Sequence, residues 1–156
     1  MNEQKLIDIM STKNYDLIVL TTRLNGAING ITIAWAMQTS IKPLLMTVAL
    51  SPKRFSYNLV VESNIFALNY IPKDRKDIIG LFGYKSGRQV NKFENIEYFE
   101  SQTGSPILKD AAAYLDCKVV DIYHSGDHDL FVGEVVEADY KSLDWFQSRD
   151  FKKKAA

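Results

Sequence analysis

A single cysteine, Cys117, rules out an internal disulfide and any multi-cysteine metal centre. Two histidines, His124 and His128, are too few for most metal sites without carboxylate help. Neither sign of charge is in excess. The 19 Lys and Arg balance 19 Asp and Glu, which argues against nucleic acid as a partner, because phosphate-backbone binding needs a basic surplus or stripe. No apolar run approaches the roughly 20 residues of a membrane span. The opening residues Met1 to Ile7 lack the apolar centre of a signal peptide. No repeat, low-complexity segment or shift of composition divides the chain. The expectation is therefore one soluble, cytoplasmic domain over residues 1–156, with no membrane partner and the Lys152–Lys154 run solvated.

What is present is mostly β pattern. A short helix is expected over Glu3–Met10, then strands at Tyr15–Thr22, Ile31–Met37 and Leu44–Leu50, rich in Leu, Ile, Val and Thr. Asn25-Gly26 and Asn29-Gly30 both read as turn dipeptides. Helices follow at Arg54–Ser63 and Asp74–Phe82, around a strand at Asn64–Ile71. Tyr84–Glu94 is polar and reads as a flexible or functional loop. Beyond it come a short strand at Ile96–Phe99 and a break at Thr103-Gly-Ser-Pro106. Leu115, Cys117 and Val119 alternate with Asp116 and Lys118 in a strand that runs to about Tyr123 and returns as Asp129–Tyr140. The fold class is mainly β, a small barrel with a few helices.

Chemistry is confined to a few places. Ser51-Pro-Lys-Arg-Phe-Ser56 sits where a buried strand hands over to a helix. Ser51 suits an N-cap and Pro52 the first helical position, so free amides, the helix dipole, Lys53 and Arg54 would converge on an anion such as phosphate. The plain alternative is a capped surface helix with two basic residues. Asn29 to Trp35 offers a main-chain edge for a planar heterocycle, small Ala34 for approach and Trp35 as a wall; the alternative is a core tryptophan. Ser86-Gly87 and Lys92-Phe93 either cap a ligand or belong to a surface loop. Gly126-Asp127-His128 places a histidine at a hairpin tip, as a titrating group or as plain turn chemistry. Cys117 reads as a buried strand residue, and there is no nucleophile elbow, glycine-rich phosphate fingerprint or metal spacing.

Taken in order, Asn29-Gly-Ile-Thr-Ile-Ala-Trp35, Ile41-Lys-Pro43, Ser51-Pro-Lys-Arg-Phe-Ser56, Tyr84-Lys-Ser-Gly-Arg88 with Lys92-Phe93, and Gly126-Asp-His-Asp-Leu-Phe-Val-Gly-Glu134 closely resemble the flavin reductase-like domain family. That family includes the flavoredoxins and binds FMN on a split β-barrel. The resemblance covers roughly residues 12 to 140. It implies FMN held along Asn29, Thr32, Ile33, Ala34 and Trp35, with the Thr32 hydroxyl among the contacts. It implies the phosphate at Ser51, Pro52, Arg54, Phe55 and Ser56, and closure of the cofactor site by Ser86, Gly87 and Lys92. His128 matches the histidine near the reactive face. Phe82-Gly83 stands where the family often has cysteine-glycine, a departure that bears on a thiol role there but not on flavin binding. The implied activity is an FMN-dependent NAD(P)H oxidoreductase passing electrons to a flavin, ferric or protein acceptor. The alternative is an FMN-binding electron carrier fed by a redox protein. A homodimer is implied by the same resemblance.

Overall fold

Strand β1 (Ile18–Leu24) is buried on both faces: Ile18 and Leu20 meet Phe66, Leu68 and Phe131, while Val19 meets Ile71, Ile78, Ile79 and Phe82 on the other side. The computed structural model describes residues 1–152, and the side chains of the basic run at 152–154 lie outside the described part. Around β1 the chain runs α1 (Glu3–Ser11), β1, β2 (Ala27–Ile33), β3 (Ala36–Ser40), β4 (Leu45–Leu50), α2 (Phe55–Ser63), β5 (Ile65–Tyr70) and α3 (Lys76–Tyr84). It continues with β6 (Tyr98–Glu100), β7 (Pro106–Leu108), β8 (Ala113–Ser125), β9 (His128–Tyr140) and α4 (Ser148–Lys152).

Seven strands form one antiparallel sheet in the order β2-β1-β5-β8-β9-β4-β3, and β6 pairs with β7 apart from it. The two edge strands, β2 and β3, are neighbours in the chain, joined only by Ala34 and Trp35. Laid flat, seven strands would hold these edges about 29 Å apart at roughly 4.8 Å per strand. Three peptide steps reach only about 11 Å. The sheet therefore curls until its two edges meet at this link. No ladder joins β2 to β3 among the described residues, so the curl is not closed by hydrogen bonds.

That seam explains one departure from expectation. The run Ile31–Met37 is two strands, because pairing passes from β1 to β4 at Ala34-Trp35. A second departure is Asn29-Gly30, which is not a turn but lies inside β2 opposite Thr22 and Thr21. Asn25-Gly26 is the actual turn, with Asn25 at φ 54°. Gly30 serves close approach: a Cβ there would lie 2.9 Å from the Phe82 ring.

A third correction concerns the entry to α2. The helix begins at Phe55, its N-cap is Arg54, and no side chain caps it. Ser51 instead closes the turn before it, its carbonyl accepting from the Arg54 N–H at 3.0 Å and its hydroxyl from the Lys53 N–H at 3.3 Å. Pro52 takes the second position of that turn, where its fixed φ fits equally well. Helix α3 starts two residues later than expected, behind Arg75, whose guanidinium bonds Asp77 at 3.0 Å and Asp110 at 2.6 Å. Strand β7 and helix α4 carry too few periodic residues to be read from sequence. At the β8–β9 hairpin, Gly126 (φ +63°) and Asp127 form the two-residue tip. Helix α1 is exposed along its whole length, including Leu6, Ile9 and Met10.

Candidate active site

Two depressions meet beside the seam and share Ile31, Thr32 and Arg54. The first, about 250 Å³, lies between β2, the start of α2 and the segment 82–92. It holds Asn29, Phe55, Ser56, Ser86, Gly87 and Lys92. The second, about 210 Å³, lies over the β2–β3 link and holds Ile33, Ala34, Trp35, Ser51 and His128. The structure thus gathers twelve of the thirteen cofactor residues named from sequence, together with His128, into one bipartite cleft. Pro52 lines neither half. Ser51 lies with the tryptophan and histidine, not with Ser56.

The first half is strongly one-signed. Lys53, Arg54, Lys85, Arg88 and Lys92 line it, with no Asp or Glu. Among the described residues none of the five forms an ion pair within 4 Å. In a chain with no net charge this concentration makes the first half a patch of positive potential, which suits an anion.

Lys92 does not simply sit on a closing loop, as expected. It is buried, and its Nζ donates to the Gly30 carbonyl at 2.8 Å and the Phe82 carbonyl at 3.3 Å, tying the segment to β2 and α3. Burial, with Arg54 adding repulsion, pushes its pKa down to about 8. The Gly30 carbonyl turned to Lys92 points away from β1. Peptide groups two residues apart on a strand face the same way, so those of Thr32 also face the cleft. The Thr32 hydroxyl, expected to contact ligand, donates to the Ile79 carbonyl at 2.8 Å and keeps only its acceptor capacity.

The polar side of the cleft is braced internally. Asn29, nearly fully buried, donates through Nδ2 to the Ser56 hydroxyl at 2.8 Å, fixing β2 against α2. Gly87 fits against this pair: a Cβ there would lie 2.3 Å from Asn29 Oδ1 and 2.8 Å from the Phe55 ring. Ser86 accepts from the Arg88 N–H at 3.2 Å. Phe82, at the expected cysteine position, is fully buried and meets Phe93 edge-on at 5.3 Å.

In the second half Trp35 is 52 % exposed, which overturns the core-tryptophan alternative. The His128 ring meets it edge-on at 4.8 Å, and His128 Nδ1 pairs with the Asp127 carboxylate at 2.7 Å. That bond holds the Asp127 pKa down and leaves His128 Nε2 for a ligand. Behind the histidine, buried Asp129 takes the Tyr57 hydroxyl at 2.5 Å and His124 Nδ1 at 2.6 Å, pinning the hairpin to α2. This clasp is not legible in the sequence, and neither is the place of Lys85 and Arg88 in the cleft. The partners of the first are 72 positions apart, and nothing local announces them. Cys117 is buried, as expected, with its thiol pushed up to about 12 by burial. Among the described residues no cluster of His, Cys, Asp or Glu can hold a metal, and no helix is long and apolar enough to cross a membrane.

The chain has relatives among known proteins. A ferric-chelate reductase (NAD(P)H) from Archaeoglobus fulgidus is 32 % identical over 128 residues, 81 % of this chain and 76 % of that protein. A high molecular weight rubredoxin from Moorella thermoacetica is 28 % identical over 131 residues, 83 % of this chain. The chain spans 57 % of that protein, and 46 % of a further relative from Aeropyrum pernix that is 32 % identical. The crystal structure of an FMN-binding protein from Thermus thermophilus with bound 1-cyclohex-2-enone superposes with a TM-score of 0.79 at 32 % identity, over 83 % of this chain and 72 % of that one. The pattern of the flavin reductase like domain matches residues 10–152, and the chain belongs to that family.

Proposed function

We propose that this chain, a single domain with a split-barrel fold, holds FMN across the two halves of the cleft and acts as an NAD(P)H-dependent oxidoreductase. The observation that carries the reading is the charge of the first half: five cations and no carboxylate beside the Asn29–Ser56 pair. A phosphate monoester fits that donor set, and the outward peptide edge of Thr32 with exposed Trp35 fits a flat, hydrogen-bonding ring. Arg54 and Lys92 are the residues to hold the phosphate, with the Ser56 hydroxyl, which already accepts from Asn29, donating its proton to it. Ile33, Ala34 and Trp35 flank the ring. The chemistry FMN supplies when bound is two-electron uptake from a reduced nicotinamide and release of those electrons to an acceptor.

The chain's own part is position and charge. Asp127 fixes the His128 ring, so that Nε2 is presented at the second half as a donor or acceptor without reorganisation. The Tyr57–Asp129–His124 clasp keeps the hairpin that carries His128 in register with the helix that carries Ser56. Lys92 and Arg54 keep positive potential at one end. The Ferric-chelate reductase and FMN-binding relatives support this reading. A second copy of the chain is proposed as partner, on the strength of exposed Trp35, Met37 and Ile41 along one edge.

The relative named high molecular weight rubredoxin favours a second reading, in which a redox protein supplies the electrons and no nicotinamide reacts. Anaerobic stopped-flow mixing of FMN-loaded protein with NADH or NADPH separates the two. Rapid bleaching of the flavin band is expected. No bleaching, with reduction by reduced rubredoxin, would replace the first reading by the second. A protein that takes up no added FMN would overturn both.

A further inference from the structure

Two of the five cleft cations suffice for FMN. A phosphate monoester carries about −1.5 to −2 charges near neutrality, and Arg54 with buried Lys92 matches that. Arg54 is also close enough to Lys92 to repel its proton. Lys53, Lys85 and Arg88 are left over, all exposed at the rim of the same half. Like charges gathered without a counter-charge repel one another, so such a group is favourable only when an anion joins it. The carboxylate that senses Lys53, Asp127, sits at the hairpin tip and lines neither half of the cleft.

Two of the three stand on segments that touch at the rim. Arg88 Nη1 donates to the Lys53 carbonyl at 3.3 Å, and its guanidinium lies 5.4 Å over the Phe55 ring. That joins the two segments at the rim and leaves most of the fork's N–H groups free, while the exposed Lys53 side chain, lining the same half, makes no hydrogen bond. Resting on the FMN reading above, we propose that Lys53 and Arg88 form a second phosphate seat at the cleft rim, one that takes a phosphate attached to adenosine. Two ligands present that group here: the adenylate of FAD in place of FMN, and the 2′-phosphate of NADPH beside bound FMN.

Titration with riboflavin, FMN and FAD by flavin fluorescence, followed by KM for NADH and NADPH on the FMN-loaded protein, tests the seat and names its source. Tighter binding of FAD than FMN identifies the flavin adenylate. A KM for NADPH well below that for NADH identifies the 2′-phosphate. In either case Lys53→Glu and Arg88→Ala should each shrink the affected ratio by about tenfold, as loss of a charge-assisted bond would. Lys53→Glu changes an exposed side chain that makes no hydrogen bond, so it keeps the test valid should Arg88→Ala loosen the loop. A parent with neither preference, or variants with both ratios unmoved, would overturn the seat while leaving FMN binding intact. A parent that binds no FMN overturns the flavin reading and this seat with it.

Discussion

Lys92 makes cofactor binding depend on pH in a direction that can be worked out. The residue is 4 % exposed, its ammonium is held by two carbonyls, and its pKa is lowered to about 8 by burial first and by Arg54 second. A phosphate dianion beside it offsets Arg54 and restores the proton's affinity. Above about pH 8, binding must therefore take up a proton. FMN affinity is then level from about pH 7 to 8 and falls above that, by up to about tenfold per pH unit until the bound-state pKa is passed. The apo chain moves the other way. A lysine depressed in the fold leaves the unfolded chain holding more protons between about pH 8 and its ordinary 10.5, so this residue's contribution to stability rises across that window. Fluorescence titrations of FMN across this range, with riboflavin as a phosphate-free control, read the first effect, and urea unfolding of the apo protein reads the second. Lys92→Met should abolish the alkaline limb for FMN. An FMN affinity unchanged by pH above 8, or a limb that survives in Lys92→Met, would refute the reasoning.

Other expectations concern neighbouring residues. Arg54→Ala should weaken FMN retention by about 1.5–3 kcal/mol, measured by equilibrium dialysis, since it removes a charge-assisted bond. Gly87→Ala forces a methyl onto Asn29 and Phe55, and should cost FMN affinity at least tenfold while the melting temperature changes little, because the exposed segment can lift. Gly133→Ala is the converse: its methyl would lie 2.6 Å from Phe66 and 2.9 Å from Cys117, inside the core. Overpacking there costs about 1–3 kcal/mol, read as a drop of about 2–4 °C in melting temperature per kcal/mol. Tyr57→Phe frees one side of Asp129, and should lower kcat for NAD(P)H oxidation more than it changes FMN affinity, if the clasp serves to position His128. Equal loss in both would show a merely structural bond.

Legibility in the sequence followed the range of the forces involved. Strands buried on one or both faces announce themselves through β-branched and apolar runs, and β1, β4, β5, β8 and β9 were readable to within a few residues. The residues that gather in the cleft were readable because their order along the chain resembles a family, not because any motif is specific. What escaped depends on partners distant in sequence. Nothing in Ile31–Met37 tells that its first half pairs with β1 and its second with β4, since each half is a sound strand. Ser51 and Pro52 suit a helix start and a tight turn alike, and the turn is what forms, the Arg54 and Lys53 amides both bonding back to Ser51 before the helix starts at Phe55. Asn29-Gly30 has turn chemistry, yet the need to admit the Phe82 ring beside β2 outweighs it.

The edge of β2 has a wider consequence. A carbonyl is common to every residue and an amide N–H to every residue but proline, so a ligand held through the backbone at Thr32 would be insensitive to exchange of the side chains that surround it. Mutation can rewrite such a rim freely so long as the bend at Ala34-Trp35 persists. The demand that such an edge makes on the sequence would reduce to one short bend, and the letters around it would be left to other pressures.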